Sequence, residues 1–401
     1  MWLRISVLFA TISLLTLTAC QQQQTALPTL VNLDALATDS AAATQTSQPP
    51  TRTSLPPTWT ASPPPSEIPA DTIVQFTPTP LGFRPFGTLS YIFNNDSIVE
   101  LAADGSFEDL LPIPHIGQLV TDLRLSPNGE WLAYVAPGSG SARELYVTDR
   151  TGTNTVQVSR LGFARVLSPA WKPDSSALVF LASQAPETPL EVYIVGVDGS
   201  GQRQLTQGQS ANLREPVWNA AGDRVFFSDD AIYAVDLMTG VRSPALTIPS
   251  GFGADYELAH SPVTDRLYYL KRRRNMDTGE DGAVLSFINT TSVEERANEN
   301  IGPLVFYDAL RFSPAGDYLL LVQDGDVLAQ TQVFNTSVPV VRGAQVDPRP
   351  VFSPDSELVA YVDVDDTGIE QLYIVSRQGG IPTQITTHTE GTMTDLHWAE
   401  G

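Results

Sequence analysis

The chain has 401 residues but only one cysteine, Cys20, so no disulfide can form within it. It also lacks a transmembrane run. The longest apolar stretch, from Ile5 to Leu17, is shorter than the roughly 20 residues a spanning helix needs. Positive charge is scarce, with 23 Lys and Arg against 45 Asp and Glu, giving a net charge of −22. So acidic a body repels nucleic-acid phosphates and anionic headgroups, which argues against a DNA or RNA partner. Histidine is rare as well. His115, His260, His388 and His397 do not pair at helical or finger ligand spacing, so they read as structural or exposed. There is no Gly-x-Ser-x-Gly elbow, no His-Glu-x-x-His and no Gly-x-x-x-x-Gly-Lys, so three common catalytic scaffolds find no support. No glycine precedes Gly82.

The lone cysteine is placed informatively. It follows the apolar stretch, which is itself preceded by Arg4, the only charge in residues 1–19. That order is the one expected of an exported leader. Leu17-Thr18-Ala19-Cys20 resembles the bacterial lipobox, in which the cysteine is lipidated and becomes the new N-terminus. The resemblance implies a leader over 1–19 and an acylated Cys20. Several acyl chains on one residue would give stable anchoring where a single chain gives marginal binding.

Residues 20–86 read as a lipidated N-terminus followed by a tether rich in Thr, Pro, Ser, Ala and Gln. Too little apolar surface is present to offset the entropy of ordering the chain. Proline without glycine makes such a tether stiff and partly polyproline-II. At ~3.1 Å per residue its reach is on the order of 200 Å, against ~45 Å for a Gaussian coil. Trp59 and Phe76 are isolated aromatics within it, read as chance placements.

From residue 87 the sequence becomes repetitive. Leu125-Ser126-Pro127-Asn128-Gly129 is followed by Leu132-Ala133-Tyr134-Val135 and then Leu145-Tyr146-Val147. Trp171-Lys172-Pro173-Asp174 and Phe352-Ser353-Pro354-Asp355 open units of the same form, and degenerate copies start at Trp218, His260 and Phe312. Aligned on these anchors, with Trp398 as the seventh, the units recur every 40 to 52 residues or so. A period of this length made only of short strands predicts an all-β propeller of four-stranded blades. Proline at the second turn position presets φ, and Asn-Gly or Asp-Gly supplies the positive φ of a tight hairpin. Thr394–Trp398 is expected to complete the sheet begun at residue 88, so that terminal strands share one blade and close the ring. Seven blades result, or six if the copy at His260 is an insertion. Recurrent Trp171, Trp218 and Trp398 read as packing between blades. No blade buries its faces alone, so 87–401 forms one domain.

The Ser-Pro-Asp-Gly, Leu-Ala-Tyr-Val, Leu-Tyr-Val-Val pattern resembles the WD40-like PD40 repeat of TolB-type propellers. Ser126–Val135, Pro173–Phe180 and Ser353–Tyr361 carry the resemblance. It implies an extracytoplasmic propeller that contacts other proteins. Related peptidases append a hydrolase domain that these 401 residues do not contain, so the chain reads as a non-enzyme without a cofactor.

Two weaker chemistries remain. Asp277-Thr278-Gly279-Glu280-Asp281-Gly282 resembles the opening of a calcium loop, with Asp277 and Asp281 as candidate ligands. Its twelfth position falls on Ile288, so a solvated hairpin tip is preferred there, and likewise at Asp363–Gly368. A pair of acids at the ring mouth could serve glycan cleavage. Lys271-Arg272-Arg273-Arg274 is the one basic run and reads as a solvated loop face. Segments 137–143 and 271–282 depart furthest from the repeat, and 271–282 is the first place to look for a partner site. The combined expectation is a lipid-anchored extracytoplasmic adapter or receptor for an envelope protein. A glycan-binding or glycan-cleaving propeller is the alternative.

Overall fold

The computed structural model describes residues 84–207, 213, 216–229, 231–246, 258–274, 281–290, 295–297, 309–323, 325–331, 337–344 and 349–400. The leader, Cys20 with Leu17, Thr18 and Ala19, the tether with Trp59 and Phe76, and Asp277 lie outside the described residues.

Twenty-eight strands form seven antiparallel sheets of four. The first three are β1 (Thr88–Phe93), β2 (Ser97–Ala102) and β3 (Glu108–Leu110). Blade I is β4 (Thr121–Leu125), β5 (Trp131–Pro137), β6 (Arg143–Asp149) and β7 (Thr155–Gln157). Blade II is β8 (Arg165–Trp171), β9 (Ala177–Ser183), β10 (Glu191–Gly196) and β11 (Arg203–Gln204). Blade III is β12 (Val217–Trp218), β13 (Arg224–Ser228), β14 (Ile232–Asp236) and β15 (Arg242–Leu246). Blade IV is β16 (Leu258–His260), β17 (Arg266–Arg274), β18 (Asp281–Asn289) and β19 (Glu295–Ala297). Blade V is β20 (Ala309–Phe312), β21 (Tyr318–Gln323), β22 (Asp326–Thr331) and β23 (Ser337–Val341). Blade VI is β24 (Val351–Phe352), β25 (Leu358–Val364), β26 (Glu370–Ser376) and β27 (Thr383–Gln384). Blade VII joins β28 (Met393–Ala399) to β1, β2 and β3. The copy at His260 is thus a blade in its own right, and the ring has seven.

Every anchor residue ends or nearly ends a first strand, and in blades I to VI the second strand starts six residues later. The reason is a fixed turn. The hydroxyl of Ser126, Ser313 or Ser353 accepts the N–H of Trp131 (2.9 Å), Tyr318 (3.0 Å) or Leu358 (2.9 Å). In blade III the Asn219 side-chain oxygen accepts Arg224 N–H at 3.0 Å. In blades I, II, III, V and VI the fourth residue after the anchor takes positive φ. It is glycine at Gly129, Gly222 and Gly316, but Ser175 (φ 60°) and Ser356 (φ 63°) in blades II and VI. This corrects the expectation that glycine always supplies that conformation. Each serine is retained for a contact glycine cannot make. Ser175 Oγ accepts Asn128 N–H (3.2 Å), and Ser356 Oγ accepts Ala315 N–H (3.3 Å), stapling each turn to the preceding blade.

The apolar cores lie between blades. Ala133, Val135 and Leu145 of blade I pack with Phe163, Trp171 and Phe180 of blade II. Ile92 and Ile98 of blade VII pack with Leu132 and Tyr134 of blade I. Opposed aromatic pairs on second and third strands stack at 5.6–5.7 Å, as in Tyr134–Tyr146, Phe180–Tyr193 and Tyr361–Tyr373. Such cross-strand pairs set register as well as adding about 0.2–1 kcal/mol each. The tryptophans do bridge blades. Trp171 Nε1 donates to Arg124 O and Trp218 Nε1 to Ala170 O, both at 3.0 Å. Trp398 instead donates to Phe86 O at 2.9 Å, fixing the chain where it joins the propeller.

Closure is made by β28 and β1, with Thr88 opposite Ala399 and Leu89 opposite Trp398. Gly87 makes the turn into β1 at φ +86°, and a Cβ there would lie 2.1 Å from Ala399 O. Only glycine fits both the conformation and the space.

Segment 271–282 differs from the expected loop. Lys271 to Arg274 continue β17, paired in register with Val284 to Asp281. Strand β17 runs two residues further past its anchor than β5, β9 or β25. Backbone pairing sustains this extension without apolar alternation, so the residue pattern did not reveal it.

Candidate functional site at the propeller axis

Up-and-down connectivity gives the ring two ends. The anchor turns lie at the lower end. The hairpins between second and third strands, and the starts of the first strands, lie at the upper end. First strands of neighbouring blades run side by side around the axis.

Three consecutive first strands carry a bulge. Register shifts occur within β28, β4 and β8, and in each a non-glycine residue adopts positive φ: Asp395 (53°), Asp122 (56°) and Ser168 (50°). Asp and Asn tolerate this conformation best, because their short side chains bond locally to backbone. Here each aspartate reaches the next blade. Asp395 Oδ2 accepts Leu123 N–H at 3.3 Å, and Asp122 Oδ1 accepts Ser168 N–H at 2.9 Å. Arg124 donates to Asp395 Oδ1 (3.2 Å) and to Leu123 O (2.8 Å). His397 Nε2 donates to Leu123 O at 2.7 Å.

Charge around these groups is shaped by enclosure. Burial raises the Asp122 carboxyl above its ordinary value, and the Ser168 N–H and the Arg124 charge only partly offset it. Burial, then the positive charges of Arg124 and Arg311, push His397 down to about 3. With its Nε2–H donating to a carbonyl, His397 is neutral at pH 7.

Above these residues opens a cavity of about 350 Å³, walled at the rim by Asp122, Asp395, Arg349, Glu370 and Met393. Glu370 accepts Met393 N–H at 2.6 Å, joining blade VI to blade VII there. Asp122, Asp395 and Glu370 face Arg349 at the rim, with Arg124 paired to Asp395, so the mouth carries charge of both signs. Asp122 and Asp395 each accept a backbone N–H group of the next blade, which fixes their orientation at the mouth. Among the described residues, no three His, Cys, Asp or Glu side chains converge as a metal site requires.

The residues singled out from sequence are scattered. Asp281 opens β18, opposite Arg274. Asp365 of the second acidic hairpin accepts the Thr367 hydroxyl first of all, then Ile369 N–H, the Gln371 amide and Thr367 N–H, which hold its carboxylate near 2 against the opposing effect of burial. His115 meets Tyr134 Oη at 3.0 Å, His260 meets Ser261 O at 2.7 Å, and His388 meets Glu108 at 2.7 Å. Only His397 reaches the axis. The aligned repeat held the missing signal. Asp122 and Asp395 sit three residues before their anchors, and Arg124, Arg311 and His397 one residue before theirs.

No family model matches this sequence, and no curated protein matches it. Solved structures do. TolB from Acinetobacter baumannii is 15% identical over 80% of this chain and 68% of that one, with a TM-score of 0.49. The β-propeller domain of the Trilobed protease from Pyrococcus furiosus is 13% identical over 76% and 96%, at 0.53. An oligogalacturonate lyase in complex with manganese is 13% identical over 76% and 86%, also at 0.53. Identities this low establish a shared propeller fold and leave substrate and partner open.

Proposed function

We propose that the protein is a lipoprotein held outside the cytoplasmic membrane through Cys20, and that its propeller binds another envelope protein at the upper axial mouth. The observation that carries this reading is the separation of attachment and mouth. The chain joins the propeller at Gly87, beside Ala399 at the lower end, while Asp122, Arg349 and Glu370 rim the cavity at the upper end. The described chain thus enters the propeller at the end away from the mouth. The lipobox residues Leu17 to Cys20 supply the anchor.

The test is capture by the full lipidated chain from native envelope extract, after which the recovered protein is purified and titrated. Arg349→Glu should weaken its binding at least about tenfold, as expected for a charged contact within an interface. Ile381→Asp, an exposed change at the opposite end, should leave binding unaltered. Equal binding by both variants would remove the mouth from the proposal. Retention on envelope polysaccharide with no protein recovered would favour the glycan reading. Cys20→Ala should shift the chain out of the membrane fraction, and an unchanged distribution would end the lipoprotein reading.

A further inference from the structure

The upper end carries an apolar surface outside the mouth. Among the described residues, Ile116, Leu119 and Leu161 are large apolar side chains left 48%, 55% and 53% exposed there. The others so exposed lie elsewhere. Phe86, Phe107, Met238, Val241, Val263 and Ile381 lie in lower-end segments, and Leu110 and Val156 on outermost strands. Scattered exposure of that kind needs no explanation, whereas three such side chains on one surface do.

That surface is continuous, and Arg143 ties it together. Arg143 closes the hairpin between β5 and β6. Its guanidinium donates Nη1 to Leu119 O at 2.8 Å and Nη2 to Thr121 Oγ1 at 3.0 Å. Its backbone N–H donates to Phe163 O at 2.8 Å, and Gly162 N–H donates to Glu144 at 2.8 Å, which sets residues 161–163 alongside. Thr121 and Asp122 in turn wall the axial cavity. The apolar surface therefore begins where the mouth ends. It also occupies the arc of blades VII to II, the same arc that holds the three bulged first strands.

The surface is built before anything meets it. Residues 113–120 cross from blade VII to blade I over the β1–β2 hairpin. Gly117 N–H donates to Asp96 O (3.0 Å) and Val120 N–H to Asn95 O (2.8 Å). His115 is buried beneath, with Nδ1 3.0 Å from Tyr134 Oη and its ring against Tyr146. Ile116 and Leu119 thus stand out from a backbone already fixed in place, which lowers the entropy lost on contact. A bilayer and a protein both cover apolar side chains. The net charge of −22 repels anionic headgroups, whereas the mixed charges of the adjoining mouth suit the charged side chains of a protein.

We infer that Ile116, Leu119 and Leu161 form a shelf on which the partner protein lays an apolar segment while its charged side chains meet Asp122, Arg349 and Glu370. This rests on the axial mouth being the binding end. It adds the chemistry of the partner, an apolar stretch beside charges of both signs.

Site-specific photo-crosslinking of the full chain in intact cells of the source organism tests it. A benzophenone side chain replaces Leu119, Leu161, Arg349 or Ile381, one at a time, and adducts are identified by mass spectrometry. Leu119 and Leu161 should trap the same protein as Arg349, and Ile381 should not trap it. An adduct at Arg349 with none at Leu119 and Leu161 would remove the shelf and leave the mouth. No adduct at any of the three upper positions would remove both. Trapping at Leu119 and Leu161 without Arg349 would strike the mouth, and with it the joint contact inferred here. Adducts of Leu119 with lipid alone, or the same protein trapped at Ile381, would also overturn the shelf. Leu119→Asp changes a mostly exposed side chain and leaves the interior filled. It should weaken titrated binding of the trapped protein about tenfold or more, and an unchanged affinity would end the inference.

Discussion

Blades I, II and VI share a fastening that is not seen in blades III, IV and V among the described residues. In the first group a Ser or Thr just after the fourth strand bonds twice to the third. Thr206 Oγ1 donates to Glu191 (2.6 Å) and accepts Val192 N–H (2.9 Å). Thr386 does the same with Gln371 (2.8 Å) and Leu372 (2.9 Å), and Ser159 with Glu144 and Leu145. Gln157, Gln204 and Gln384, two residues earlier, each donate to the carbonyl of that Ser or Thr. The fourth strands of blades III, IV and V read Arg-Ser-Pro-Ala-Leu, Glu-Arg-Ala and Ser-Val-Pro-Val-Val, without a glutamine. Proline is tolerated there because an outermost strand needs no outward N–H partner. Both arcs nonetheless build four-stranded sheets. Backbone pairing and the apolar packing between blades make the architecture, and the polar clasps add to it. The arc of blades III to V also holds the β17–β18 hairpin, whose strands are nine residues each.

The largest test of this contrast is at the anchor position. Trp171→Ala removes a buried indole and its bond to Arg124 O, and should cost about 3–5 kcal/mol in urea unfolding. His260→Ala, at the same position in blade IV, should cost no more than ~1–2 kcal/mol. Equal losses would erase the difference between the arcs. The clasp itself comes next. Thr206→Val keeps the volume but strands the Val192 N–H and removes one donor from the Glu191 carboxylate, with an expected loss of about 1–3 kcal/mol. A change below the error of the melt would show the clasp to be idle.

Acid provides a third test. His397 has a folded pKa pushed down to about 3, against about 6.5 when unfolded. Below pH 6.5 the unfolded chain therefore binds a proton that the folded chain does not, and stability falls as pH is lowered toward 3. His397→Gln should flatten that slope by up to one proton, about 1.4 kcal/mol per pH unit. Unfolding midpoints measured between pH 4 and 7 that keep the original slope would place the sensitivity elsewhere. The smallest effect is at Ser175→Gly. Relief of a positive-φ serine offsets the lost bond to Asn128 N–H, so stability should change by less than ~1 kcal/mol.

Much of the ring was legible because its punctuation is chemical. Ser, Pro and a turn residue at fixed offsets mark where one strand ends and the next begins six residues on, and this holds even at His260. The expected sharing of a blade by Thr394–Trp398 and the strand at 88 is also what the structure shows. Two things escaped. Lys271 to Arg274 carry no apolar alternation, yet they pair as strand because the hairpin outruns its neighbours. The axial residues have no motif of their own beyond an offset from their anchors. Asp122 and Asp395 share that offset, three residues before Leu125 and Trp398, but only the ring sets β28 beside β4 and shows that they face one mouth.

That same adjacency has a kinetic side. Thr88 and Ala399 are partners separated by roughly three hundred residues of chain. A polypeptide threaded outward from its N-terminus delivers β1, β2 and β3 first and their missing neighbour last. Until Met393–Ala399 arrive, blade VII stands as three strands with a bare inner edge, the kind of template that recruits other chains. Loop closure over such a span costs entropy slowly with length but must precede the contacts that reward it. Ring closure should then be the slow, concentration-sensitive stage of folding. Loss of the final strand should be felt first as aggregation while the chain folds.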